Sequence, residues 1–206
     1  MAKDTKQRIL KAALFNFNEL GYFNVRLQNI ADAANMSVGN MAYHFLHKVE
    51  LFNILYKDWR KQQDFLLADI HLTPIFENFD TFLKQTYQLQ QQYRFLYIDQ
   101  LELIRMSPEV KAGYQEYFQN QQDQLDILLA LYQARGIIDW QEQKPQLVAL
   151  KIRRIIDNWL IQQFVEGQTT TTSLANFQTY IWSEIQPYLT SMGRAEFEEK
   201  NIQISI

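Results

Sequence analysis

The sequence predicts an all-α fold, with an N-terminal three-helix head carrying a helix-turn-helix and a larger helical bundle after it. Apolar residues recur at helical spacing along most of the chain, and no segment of any length alternates with the two-residue period of a strand. Only 4 Pro and 6 Gly interrupt 206 residues, which favours long helices over strands and turns. Within residues 24–51, two short helical stripes are separated by a turn too brief to let them run antiparallel. The expected division is a head over residues 1–50, a linking helix over about 47–70, and a body over 51–206.

Taken in order, residues 4–20 form the first helix, with Asp4 or Thr5 as cap, Leu10, Ala13, Leu14 and Phe17 along one face, and Gly21 as the stop. Lys3, Lys6 and Arg8 lie near its start. The next stripe is Leu27, Ile30, Ala31 and Ala34, and the one after it is Val38, Met41, Ala42 and Phe45. Asn35 suits the left-handed position that ends a helix, and Ser37 suits the cap of the helix that follows. Neither stripe is long enough to hold a lone helix in water, so both must pack on a third element. Burying the second stripe turns Gly39, Asn40, Tyr43 and His44 outward. That set is short, polar or aromatic, and suits a major groove better than a generic solvated face.

A new pattern starts at His47 and Lys48 and runs to Asp69, with Leu51, Phe52, Leu55, Tyr56 and Trp59 inward. Its first turn offers amide groups and a positive dipole end to a phosphate, with the charge of Lys48 beside them. Thr73 and Pro74 then open a helix to about Gln92, and another is expected over residues 93–105. Ser107 and Pro108 start a long helix that ends at Arg135 and Gly136. Pro145 opens a helix to Glu166 and Gly167, residues 168–172 form a polar loop, and Ser173 caps a last long helix to about Leu189. The tail from Met192 onward carries no clear pattern.

The last two long helices carry wide apolar stripes. Ile152, Ile155 and Trp159 lie on one, and Phe177, Ile181, Trp182 and Ile185 on the other. A stripe that wide on paired helices suits a four-helix interface between two subunits, so these seven residues are the expected dimer contact. The alternative is that all of it is internal core. Phe82, Tyr87, Tyr93, Tyr97, Tyr114 and Phe118 concentrate large aromatic surface in the middle helices, which fits either a filled core or a pocket with tyrosine hydroxyls as polar handles.

Composition excludes several classes. With no cysteine there is no disulfide, thiolate zinc site or thiol nucleophile. The start MAKDTKQR is charged where an export signal would be apolar, and no run approaches a membrane span, so a cytoplasmic protein is expected. His44 and His47 lie three apart without a third ligand nearby, and no Gly-rich phosphate loop, nucleophile elbow or paired-carboxylate motif occurs. No metal, no cofactor and no enzymatic activity are expected. The net charge of −3 hides an asymmetry. Residues 1–60 hold eight basic and five acidic side chains, and the rest hold twelve basic and eighteen acidic ones. A basic head on an acidic body fits a nucleic-acid-binding module joined to one that does not bind it.

Residues 5–51 also resemble the DNA-binding domain of the TetR/AcrR-type transcriptional regulators. Gly21 with Tyr22, the pair Ile30 and Ala31 with Ala34, Ser37 with Gly39, and Tyr43, His44, Phe45 and Lys48 with Leu51 beyond stand at that family's spacing. Val25 and Arg26 stand where the family usually carries Thr or Ser, Asn35 replaces a frequent Gly, and Ala42 a frequent Tyr. The resemblance implies a regulator, in most cases a repressor, that binds a pseudo-palindromic operator as a homodimer. It places Gln28, Ser37, Val38, Gly39, Asn40, Tyr43, His44 and Lys48 at double-stranded DNA. It also implies that the aromatic middle helices enclose a pocket for a largely apolar small-molecule effector, because few unpaired charges fall on those inward faces. The competing expectation is a small-molecule-binding protein of the same fold that no longer binds DNA.

Overall fold

The computed structural model describes residues 2–68, 75–167 and 174–199. Among the described residues the chain is helical and contains no strand. The head comprises α1 (Ala2–Leu20), α2 (Leu27–Ala33) and α3 (Val38–Ala42), and α4 (Lys48–Ala68) leads out of it. The body adds α5 (Ile75–Gln92), α6 (Arg94–Ile98), α7 (Gln100–Met106), α8 (Pro108–Ala134), α9 (Pro145–Val165), α10 (Leu174–Ile185) and α11 (Ser191–Glu199). The expected end at Asp69, His71, the cap at Thr73 and Pro74, the loop at 168–172, the Ser173 cap and the tail beyond 199 lie outside the described residues.

Local chemistry explains most boundaries. Gly21 ends α1 at φ +77°, a backbone region that costs glycine little, and its amide reaches the Phe17 carbonyl at 3.0 Å. Asn35 takes φ +51°, with its own amide on the Asp32 carbonyl and the Met36 amide on the Ala31 carbonyl, both at 3.0 Å. These two bonds satisfy carbonyls that the end of α2 would leave open. Ser37 Oγ accepts the Asn40 amide at 3.2 Å and so caps α3. At α2 the hydroxyl expected of a cap is missing, and Asn29 Oδ1 takes the Arg26 amide instead, at 2.9 Å. Ser107 caps α8, accepting the amides of Glu109 and Val110 at 3.2 and 3.4 Å.

Two expectations about length are corrected. The helix expected over 93–105 is broken into α6 and α7 at Asp99, whose backbone carbonyl starts α7 by accepting the amides of Glu102 and Leu103. The last long helix stops at Ile185, and a 3₁₀ turn at Gln186–Tyr188 follows, because Pro187 cannot donate the next helical hydrogen bond. The tail forms α11, with Phe197 buried against Phe76 and Trp182.

Packing does not follow the head–body boundary. One core runs from Ile9, Ala13, Phe17, Ile30, Met41 and Phe45 through Phe52 and Trp59 to Phe95, Tyr97 and Tyr114. A second lies between α5, α8, α9, α10 and α11, built on Phe79, Leu128, Ile152, Ile156, Trp182 and Ile185. The head is therefore seated on α6 as well as hung from α4.

Within the single chain this packing already covers most of the expected dimer seam. Ile152, Phe177, Ile181, Trp182 and Ile185 are fully buried within the single chain, Trp159 is 5 % exposed, and only Ile155 is partly open. Trp182 is covered by Phe76, Phe79 and Phe197, so the wide stripe is filled from α5 and α11. A second subunit could reach those side chains only by unpacking the body.

Candidate nucleic-acid interface

α3 is five residues long, and its position is set by what it buries. Met41 is fully buried and Phe45 nearly so, while Val38, Ala42 and His44 are half-buried. That leaves Ser37, Gly39, Asn40 and Tyr43 facing solvent. Tyr43 is 87 % exposed, with its ring edge against His44 at 5.2 Å, a state the fold does nothing to relieve. A Cβ added at Gly39 would meet nothing nearer than Ser37 Oγ at 3.9 Å, so internal packing does not demand a glycine there. Gln28, on the exposed face of α2, donates to Asp32 Oδ1 at 2.6 Å. Lys6 stands 5.8 Å above the Phe45 ring, bringing a charge from α1 to the end of the α3 region.

Two residues at the start of α4 differ from the expectation. The Lys48 ammonium turns inward, donating to the carbonyls of Tyr22 and Val25 at 2.7 and 2.8 Å, with the Phe23 carbonyl at 3.5 Å. It also sits 4.4 Å over the Tyr22 ring, and partial burial lowers its pKa. An ammonium has three protons, so this lysine ties the Gly21 turn to α4 and has little left for a phosphate. The Glu50 carboxylate accepts the amides of Leu46 and His47 at 3.1 and 2.8 Å, which occupies amides that a phosphate would use. Nothing in the residue pattern separates an outward lysine from one folded back on carbonyls.

The head is pinned to the body by residues that sequence reasoning missed. Asn18 donates to the Gln92 carbonyl at 2.9 Å and accepts the Phe95 amide at 3.2 Å, bridging the break between α5 and α6. Asp99 Oδ2 accepts the Tyr22 amide at 2.6 Å. On the other side of α4, Tyr56 and Arg60 bond to the carbonyls of Val110 and Gly113. A Cβ at Gly113 would overlap the Tyr56 hydroxyl and the Arg60 guanidinium, so this glycine sets the closest approach of α4 to α8.

The six aromatic residues expected around one pocket are divided between the two cores. Phe82 stacks on Phe79 and Tyr87 touches Phe177, both in the second core. Tyr93 donates to Asp58 Oδ2 at 2.6 Å, Tyr114 to the Leu96 carbonyl at 2.5 Å, and Tyr97 packs edge-on against Trp59. Phe118 lines a cleft of about 600 Å³ between α8 and α9. Further clefts lie between α4 and α5, about 430 Å³, and between α9 and α10, about 460 Å³.

The sequence profile of bacterial transcriptional repressors of the TetR type matches residues 62–197, and that of the tetR-family regulatory proteins matches residues 9–55. The chain belongs to the TetR family. A stretch of 73 residues is 36 % identical to the "Probable acrEF/envCD operon repressor" of Escherichia coli (strain K12). That match spans 35 % of this chain and 32 % of the repressor, so the chain covers about a third of its relative. The fold extends further than the identity. A TetR-family transcriptional regulator from Marinobacter aquaeolei VT8 aligns with TM-score 0.76 at 24 % identity, over 94 % of this chain and 97 % of that one. A TetR transcription regulator from Haloarcula marismortui ATCC 43049 aligns with TM-score 0.64 at 18 % identity, over 91 % and 100 %. Among the described residues of this TetR-family chain, no three metal-ligating side chains gather. Among the same residues, no helix is long and apolar enough to cross a membrane.

Proposed function

We propose that this TetR-family chain is a ligand-responsive repressor that binds a pseudo-palindromic operator as a homodimer. The observation that carries the reading is the outward face of α3, where Tyr43 stands free and Gly39 leaves open space. An exposed aromatic ring at the tip of a short helix costs solubility unless a partner covers it, and a missing side chain there admits a phosphate backbone. Gly39, Asn40, Tyr43 and His44 read the groove, with Gln28, Ser37 and Val38 around them. Lys48 acts at DNA indirectly, by holding the turn and α4 in place, and Lys6 supplies charge beside α3.

Dimerisation is assigned to the outward flank of α9 and α10. There Arg154, Ile155, Asn158, Gln162 and Tyr180 line an open cleft whose inner wall is Trp159. Two such pairs of helices brought together form a four-helix interface without disturbing either core. One head alone makes too few contacts for useful specificity, so the pair supplies the second half-site. A largely apolar effector would act by shifting α4 between its contacts on α6 and α8, since a ligand biases an equilibrium only through states it binds unequally.

Selection of full-length protein on a pool of random duplexes tests this reading. It should enrich a pseudo-palindrome with half-sites separated by about one helical turn or a multiple of it. Binding to the enriched duplex should fall steeply with salt as counterions are released. Enrichment of nothing, or of a single unrepeated half-site, would overturn the operator and dimer readings respectively.

A further inference from the structure

The cleft between α8 and α9 has one charged wall. Gln115, Phe118, Gln119 and Gln122 line it from α8, and Gln146, Leu150 and Arg153 from α9. Arg153 is the sole ionised side chain among these lining residues. Its guanidinium lies 5.3 Å from the Phe118 ring centroid, its Nε donates to Gln122 Oε1 at 3.1 Å, and one terminal nitrogen donates to Asp157 Oδ2 at 2.7 Å. A guanidinium carries five N–H donors, so three remain for something in the cleft. The pair is well buried, with 18 % of the arginine and 10 % of the aspartate side chain exposed. Burying two charges is expensive, and Asp157 Oδ1 lacks a hydrogen bond of ordinary length, with the Tyr117 hydroxyl nearby.

Behind the pair runs a chain of polar groups that ends on α4. Tyr117 of α8 lies beside both Asp157 and Tyr97 of α6, and its hydroxyl also receives Gln121 Nε2 at 3.1 Å. Tyr97 accepts from Trp59 Nε1 at 3.0 Å and from Gln63 Nε2 at 2.7 Å, both on α4. The indole and amide nitrogens can only donate, so the Tyr97 proton is left to point away from them, and the Tyr117 ring itself lies 5.3 Å from that of Trp59. A change at the carboxylate therefore alters what Tyr117 and Tyr97 can accept, and with it the seat of Trp59 and Gln63. The helix concerned is the one that carries the head.

We propose that the α8–α9 cleft is an effector site for a carboxylate on a flat apolar body, held by Arg153 in place of Asp157 and sensed at α4 through Tyr117 and Tyr97. This rests on the ligand-responsive reading above and names the class of ligand. Phe118 and Leu150 supply the apolar walls, and a fork of arginine donors matches the two oxygens of a carboxylate. A cationic ligand is disfavoured because it would meet Arg153 before it reached Asp157. A displaced Asp157 can become neutral, since burial raises its carboxyl to about 7. The groups that face it are Arg153 on α9, Tyr117 on α8 and Tyr97 on α6. The cleft side of α9 lies roughly a third of the way round the helix from the face assigned to dimerisation, so both can be used at once.

Calorimetry on the full chain tests the site with phenylacetate and 3-phenylpropionate against phenylacetamide and 3-phenylpropionamide. The acids should bind at least tenfold more tightly than the amides. Arg153→Met should remove the preference, and Arg153→Met with Asp157→Asn should do so without leaving a buried charge unpaired. Tyr117→Phe should retain acid binding while abolishing its effect on duplex affinity. Equal binding of acids and amides, or an acid preference that survives loss of both charges, would overturn the site. An unchanged duplex response in Tyr117→Phe would overturn the route to α4. If the acids bind through Arg153 but no duplex is bound in their absence, the regulatory reading fails while the site stands.

Discussion

Asp99, 77 residues beyond it in the chain, holds the backbone amide of Tyr22 at 2.6 Å. This bond joins the turn at the end of α1 to the break between α6 and α7, and the same carboxylate oxygens lie over Gly21. Asn18 makes the reciprocal contact, its side chain satisfying the break between α5 and α6. Head and body thus each supply polar partners that the other lacks. Asp99→Ala should lower stability by about 1–2 kcal/mol, the cost of an unmet amide plus a lost charge-assisted bond at a partly exposed site. Urea denaturation measures that loss. The same variant should also blunt any effect of an effector on duplex affinity. A variant with full stability and full response would show the contact to be incidental.

The second prediction separates reading from positioning in the head. Tyr43→Ala should cost about 1–3 kcal/mol on a selected duplex and less on random DNA, with no loss of folding stability, because the ring packs on nothing but His44. Lys48→Met should behave oppositely. Removing its donors frees the carbonyls of Tyr22 and Val25, so the melting temperature should fall and binding should weaken alike on both duplexes. Paired melting and anisotropy measurements decide the matter. If Lys48→Met leaves the melting temperature unchanged and lowers the salt slope by about one, its ammonium contacts phosphate after all.

How much of this was legible beforehand depended on the kind of question asked. Helices whose caps are local were readable, because Ser37, Asn35, Ser107, Gly136 and Pro145 act on their own neighbours. The break at Asp99 was not. An aspartate at helical spacing among Arg94, Glu102 and Arg105 looks like part of an ion-pair face until Tyr22 is placed opposite it. Stripe width misled for a related reason. Ile181 and Trp182 reveal how much of α10 is covered, but the pattern cannot tell whether α5, α11 or another subunit covers it. The aromatic middle helices posed the same problem, since tyrosines that bond to Asp58 or to the Leu96 carbonyl are indistinguishable in sequence from tyrosines lining a pocket.

The third prediction concerns assembly and follows from that packing. Tyr180 is 59 % exposed on the outer flank of α10, with its ring 5.4 Å from Trp159. Tyr180→Asp, alone or with Ile155→Asp, should give a folded monomer that binds a half-site weakly. Ile181→Asp should instead unfold the body, because it buries a charge in a filled core at a cost of several kcal/mol. Sedimentation together with circular dichroism distinguishes the two. A dimer persisting in the Tyr180 and Ile155 variants would move the interface elsewhere on the surface.

The fourth prediction uses Asp157, whose carboxyl burial raises to about 7 even though Arg153 beside it pulls the other way. In the unfolded chain an aspartate titrates near about 4. Between those values the folded protein holds a proton that the unfolded chain has lost. This group's contribution to stability is therefore complete below about pH 4 and is lost as pH rises through 7. At about 1.4 kcal/mol for each pH unit, the full effect is on the order of a few kcal/mol. Melting curves from pH 4 to 8 should show the native chain losing stability toward neutrality more steeply than Asp157→Asn. Asparagine resembles the protonated aspartate and cannot ionise, so the slope and not the offset carries the comparison. Asp99 and Asp126, also raised by burial, are common to both proteins and cancel in the difference. Parallel curves over this range would mean that Asp157 is ionised throughout and that the buried pair with Arg153 is not labile near neutral pH.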